Sequence, residues 1–91
     1  MLPVQAMLGP SSDRVPKYTM SVTVRLTTVD AHRIRRFEQF GLIRPARTAG
    51  GQRLFSDADV NLIREIILLE KQGANLGGIR MILAIRRGEH E

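Results

Sequence analysis

The 91-residue chain has no cysteine, no tryptophan, one tyrosine and three phenylalanines. Without cysteine there is no disulfide framework, thiolate metal site, iron–sulfur ligand or redox thiol. With so few aromatic rings, aliphatic side chains have to fill the core. No apolar stretch approaches the roughly 20 residues of a membrane span. The opening MLPVQAMLGP lacks a basic leader region and is interrupted by Pro3 and Gln5, which makes it a poor signal peptide. An intracellular, cytoplasmic protein with no membrane partner is therefore the expectation. Catalytic constellations are missing too. No Ser/His/Asp set, phosphate-binding loop or dinucleotide fingerprint occurs, so neither an enzyme nor a cofactor is expected. The closing GEHE holds metal-ligand atoms with no second cluster to complete a site. The neighbouring acids Asp57 and Asp59 fall at a helix start, where capping accounts for them.

A chain of this length makes one small domain with a modest core. Its 43% hydrophobic and 25% charged residues are those of an ordinary globular protein. The net charge is +5, and its distribution says more than its size. Between Ser21 and Phe55, seven arginines (Arg25, Arg33, Arg35, Arg36, Arg44, Arg47 and Arg53) meet two acids, Asp30 and Glu38, while the rest of the chain carries seven basic residues against seven acidic ones. Twelve of the fourteen basic residues are arginine. The planar arginine fork suits phosphates and base edges, so the partner implied is a polyanion, with nucleic acid first.

Residues 1–18 contain Pro3, Gly9, Pro10 and Pro16 without sustained periodicity and read as an extended or flexible N-terminal arm. Leu2, Val4, Met7 and Leu8 leave open a partner-binding role for it. In SVTVRLTTVD, apolar Val22, Val24 and Leu26 alternate as in a strand. Capping by Thr19 or Ser21 instead starts a short helix with Val22 and Leu26 one turn apart on one face and Arg25 outward. The turn composition of Thr27-Thr28-Val29, followed by the good N-cap Asp30, favours the helix. A second helix over residues 30–40 sorts by face at about 100° per residue. Ala31, Ile34, Phe37 and Gly41 fall together, and His32, Arg33, Arg36 and Gln39 point the other way. Gly41 supplies a left-handed stop, after which Leu42-Ile43 folds back as an anchor. RPARTAGGQRLF reads as a hairpin turning at Gly50-Gly51, with Arg47 and Arg53 near one edge. SDADVNLIREIILLEKQG is a capped helix with Val60, Ile63, Ile66, Ile67 and Leu69 as its buried stripe, ended by Gly73. Asn75 caps a last helix in which Leu76, Ile79, Ile82 and Leu83 keep helical spacing, with Arg80, Arg86 and Arg87 exposed and Gly88 as the stop.

Short helix, turn, basic amphipathic helix, hairpin, helix, helix is the order of a mostly α winged helix-turn-helix domain, here spanning residues 19–88 with a short tail at 89–91. In that arrangement the second helix enters the major groove and the hairpin reaches the flanking backbone. The stretch HRIRRFEQFGLIRPARTAGGQRLFSDADVNLIREIILLEKQGANLGGIRMIL closely resembles the DNA-binding domain of the MerR family of bacterial transcription regulators. Its pattern I-R-Y-Y-E-x-x-G-L-[IL]-x-P-x-R is met by Ile34, Arg35, Glu38, Gly41, Leu42, Ile43, Pro45 and Arg47. The wing pattern G-x-R-x-[YF]-[ST]-x-x-D-[VL] is met by Gly51, Arg53, Phe55, Ser56, Asp59 and Val60. The closing EKQGANLGGIRMIL looks most like the nitrogen-regulator and heat-shock-repressor branches. The chain departs from the pattern at Arg36 and Phe37, where the family usually has two tyrosines, so an arginine is gained and base preference shifts.

The resemblance and the helix faces together place Arg33 and Arg36 nearest the base edges, where a bidentate contact to guanine discriminates by about 1–3 kcal/mol. Arg35, Arg47 and Arg53 are expected on phosphates. Thr48, Gln52 and the open amides of Gly50 and Gly51 assist, and His32 at the helix start reaches phosphate when protonated. Phe37 is carried over as a contact position, although core packing is the plainer role for a ring at that spacing. The implied function is a sequence-specific regulator, a repressor in the first instance. It would act on double-stranded promoter DNA within the nucleoid, as a homodimer or a head-to-tail oligomer, with an effector protein as a further partner. The family usually adds a long dimerising helix after this domain, and its lack here points dimerisation to another surface. An excisionase-like architectural factor would instead bend DNA without occupying promoters. A protein-interaction adaptor would hold every duplex equally.

Overall fold

The structure is a computed structural model and describes residues 12–88. Residues 1–11 and 89–91 lie outside the described residues, and with them most of the arm, including Leu2, Val4, Met7 and Leu8, and the tail. After a 3-10 turn at Ser12–Arg14 come α1 (Met20–Thr27), α2 (Ala31–Gln39), the antiparallel strands β1 (Ala46–Arg47) and β2 (Arg53–Leu54), α3 (Asp57–Lys71) and α4 (Leu76–Arg86). The fold is mostly helical with a short hairpin wing, in the order anticipated from the sequence.

The helix alternative for SVTVRLTTVD is the one realised. Thr19 is the N-cap of α1, its hydroxyl accepting the Val22 N–H at 3.3 Å. The inward face, however, carries Thr23 (0% exposed) and Thr27 (8%), while Val22 and Leu26 stay 36% and 40% exposed. The hydroxyls of Thr23 and Thr27 donate to the carbonyls four residues back, those of Thr19 and Thr23, each at 2.8 Å. Satisfied inside their own helix, these side chains bury methyl groups without leaving a polar atom unpaired. Thr28 then adopts the left-handed region (φ 58) and donates its N–H to Val24 O, which turns the chain into α2. Asp30 starts α2 by accepting the Arg33 N–H at 3.0 Å.

Helix α2 ends as the sequence suggests. Gly41 (φ +76) donates to Glu38 O and Leu42 to Phe37 O, both at 2.9 Å, the paired bonds of a Schellman motif. The fold-back delivers Leu42 and Ile43 into the core. At α3, Ser56 and Asp59 form a reciprocal capping box, and at α4 Asn75 accepts the Gly78 N–H at 2.8 Å. The core joins Ile34 and Phe37 of α2 to Leu42, Ile43, Phe55, Ile63, Ile66, Ile79 and Leu83. Of the stripe expected on α3, Val60, Ile63 and Ile66 are buried, and Ile67 and Leu69 half-buried.

Two side-chain ties fix the helix pair α1–α2 and the wing onto α3. Arg64 of α3 donates to the Leu26 carbonyl at the end of α1 at 2.8 Å. Tyr18 pairs with Phe55 as an isolated antiparallel bridge, and its hydroxyl donates to Asp57 at 2.6 Å beside the Lys17–Asp57 ion pair at 2.8 Å. These hydrogen bonds from Lys17 and Tyr18 hold the Asp57 carboxyl below its ordinary pKa. Residues 17 and 18, read from sequence as the end of the arm, are therefore docked where the wing leads into α3.

Candidate nucleic-acid interface

With Ile34 and Phe37 turned inward, a residue advance of about 100° leaves His32, Arg35, Arg36 and Gln39 on the exposed front of α2. Arg35 makes no ion pair among the described residues. Arg36 has no carboxylate partner among them either, and its guanidinium lies 5.4 Å from the ring of the exposed Phe40. Arg33 is placed differently from the expectation. It sits on the flank of α2, where its guanidinium pairs with Glu70 near the end of α3 and stands 5.4 Å from the Phe37 ring. Phe37 itself is 1% exposed, so the contact role carried over to it is corrected: a ring sealed in the core cannot touch a duplex.

The wing registers Ala46 against Leu54 and Arg47 against Arg53. Two like charges directly opposite each other repel, and Glu38 of α2 relieves the repulsion. It accepts from Arg53 Nε at 2.7 Å and from Arg47 Nη2 at 3.0 Å. Burial alone would raise the Glu38 carboxyl, but the two guanidiniums outweigh it and hold the group below its ordinary pKa. Arg47 also donates through Nη1 to Gly51 O at 3.2 Å, so one side chain links α2 to the wing tip. At that tip Thr48 N–H donates to Gln52 O, Gln52 N–H to Thr48 Oγ1, and Gly51 N–H to Thr48 O at 2.9 Å. The Gly51 amide, expected to be open, is thus engaged in the turn, and its φ of +87 explains the glycine. The Gln52 residue is exposed.

Between the wing tip, α2 and the start of α1 lies a cleft of about 390 Å³ lined by Thr19, Met20, Ser21, Arg35, Gly51, Gln52 and Arg53. It brings together Arg35, Gln52 and Arg53, three of the anticipated residues, with two hydroxyls, those of Thr19 and Ser21, that sequence reading had weighed only as helix caps. Glu38 was also missed as part of the site. The signal that could have found it is its solitude as the one acid among six arginines from Arg33 to Phe55. A positively charged cleft with hydroxyl donors at a helix start is chemically suited to hold phosphate oxygens.

The model of the MerR HTH family of regulatory proteins matches residues 18–85. The chain is 37% identical over 76 residues to the HTH-type transcriptional regulator GlnR of Bacillus anthracis, covering 84% of this chain and 59% of that protein. It is 33% identical over 75 residues to a putative heat shock protein HspR of Streptomyces coelicolor, covering 81% of this chain and 50% of that one. The chain therefore spans half to three-fifths of the length of these relatives. A crystal structure of a MerR-family transcriptional regulator from Bacillus cereus superposes with a TM-score of 0.67 at 25% identity, over 72% of this chain and 50% of that one.

Proposed function

Because the chain belongs to the MerR family of helix-turn-helix transcription regulators, DNA-binding proteins rather than enzymes, we propose that it reads a specific operator in promoter DNA through the front of α2, as a homodimer or a head-to-tail pair. The observation that carries this reading is the sorting of arginines on one helix. Arg35 and Arg36 face outward without a carboxylate among the described residues, while Arg33 is drawn back to Glu70. Arg36, flanked by His32 and Gln39, is assigned to base edges in the major groove. Arg35, Arg53, Gln52, Thr19 and Ser21 are assigned to a backbone phosphate entering the cleft, and Arg47 and Thr48 to the phosphate beside the wing. Arg33 braces the helix. Where such an operator overlaps the site of polymerase, binding blocks transcription, so repression is the outcome we assign, and two half-sites recruit two copies.

Selection of bound duplexes from a random pool tests the reading. A recovered motif repeated at one helical turn, about 10–10.5 base pairs, supports operator reading by two copies, and its symmetry tells an inverted from a direct repeat. Recovery of no motif, with equal affinity for every duplex, would overturn it.

A further inference from the structure

The wing root holds a half-buried negative charge where a surface facing a polyanion has no electrostatic use for one. Glu38 projects from α2 between Arg47 and Arg53 and neutralises part of the charge that the wing would otherwise turn on phosphate. We propose that Glu38 is a positioning and specificity-setting residue for duplex recognition. It orients Arg53 into the cleft, and its charge keeps the wing from gripping arbitrary DNA. This rests on the operator reading above.

The geometry supports both halves. A guanidinium has five N–H donors, and an ion pair made through Nε leaves the two terminal amino groups available. Arg53 binds Glu38 through Nε at 2.7 Å and lines the cleft with Arg35, Thr19 and Ser21, so the bond to Glu38 fixes the direction of a fork whose remaining donors are available to a phosphate there. Arg47 is divided between Glu38 and the Gly51 carbonyl, which holds the wing tip at a set distance from α2. The charge of Glu38 acts independently of the orientation it imposes. Two guanidiniums and one carboxylate leave the wing root a single net positive charge, so one fewer counterion is released from any duplex it touches. That penalty falls on every sequence, whereas the orientation of Arg53 helps only where α2 has already found its register.

Two variants separate the halves. Glu38→Gln keeps the shape and an acceptor oxygen but removes the charge, and Glu38→Asp keeps the charge on a shorter arm that no longer reaches both arginines. With the full chain, binding to the selected operator and to a random duplex is measured across a salt series. E38Q is expected to hold random duplex several-fold more tightly, with a salt slope steeper by about one unit, and to show a reduced operator-to-random ratio. E38D is expected to keep the wild-type slope and lose part of the ratio. An unchanged slope in E38Q, or equal loss of affinity for both duplexes in the two variants, marks a merely structural pair and overturns the inference. Should E38Q fold poorly, the Arg53 Nε–H resonance of the free wild-type chain gives a second readout: protection from solvent exchange supports the positioning bond, and free exchange contradicts it. If the wild-type chain itself holds all duplexes equally, the operator reading falls and takes this inference with it. If it discriminates and E38Q matches it in slope and ratio, this inference alone falls.

Discussion

The front of α2 and its flank carry the same residue type to opposite ends. Arg35 and Arg36 on the front meet no carboxylate among the described residues, whereas Arg33 on the flank and Arg53 across the wing root each close on one, Glu70 and Glu38. Arginine count alone does not distinguish them. What distinguishes them is whether the tertiary fold brings an acid within reach: among the described residues it does so for Arg33, Arg47, Arg53 and Arg86 and not for Arg35 and Arg36, which stand on the face we propose for phosphates and base edges. Basic charge therefore divides into a portion tied to acids within the domain and a portion that we propose serves a polyanionic partner.

The strongest perturbation removes the scaffold both regions share. Phe37→Ala empties a fully buried site and is expected to cost about 3–5 kcal/mol, a large share of what a small domain has. Urea denaturation measures it, while Phe37→Leu should keep both the fold and the duplex preference, as a core residue with no DNA contact requires. Arg36→Ala comes next. It should remove about 1–3 kcal/mol of base discrimination, or roughly 5- to 150-fold, with thermal stability changed by less than about 0.5 kcal/mol. Titrations against the selected site and a scrambled one report the first, a melting curve the second. Arg33→Ala should give the mirror image: a stability loss of about 0.5–1 kcal/mol, limited by the partial exposure of the pair, with the base preference intact. A double-mutant cycle with Glu70→Gln isolates the coupling.

The smallest effect is a pH dependence at the wing root. The Glu38 carboxyl is held below its ordinary value in the folded chain. Its contribution is therefore fully present above the unfolded-state pKa of about 4.3 and is lost as pH falls through the lower folded value. For an ion pair still partly in contact with solvent, this amounts to less than about 1 kcal/mol. Melting temperatures from pH 7 down to the acid limit should fall less steeply in Glu38→Gln than in wild type, and parallel curves would remove Glu38 from the acid response.

The elements that could be read from sequence are those determined locally. The capping box at Ser56 and Asp59, the Asn75 cap and the Gly41 stop with its fold-back each depend on residues within a few positions of one another, and all are in place. The threonine face of α1 was hidden because Thr23 and Thr27 count as polar until their hydroxyls are bonded within the helix. The role of Arg33 was hidden for a different reason: Glu70 lies 37 residues along the chain, and helical periodicity places Arg33 near the front without saying what packs beside it. Glu38 read as a lone acid in a basic stretch because its partners lie 9 and 15 residues away, across the hairpin. Open and tied arginines look alike in sequence, and only packing sorts them.

One experiment addresses that sorting of arginines head-on. Random-duplex selection run in parallel on wild type, Arg36→Ala and Arg33→Ala should return the same motif for wild type and R33A, and a degraded or relaxed motif for R36A. A wild-type motif from R36A together with a lost motif from R33A would show that the flank reads the DNA and that the division between open and tied arginines has been drawn on the wrong side of α2.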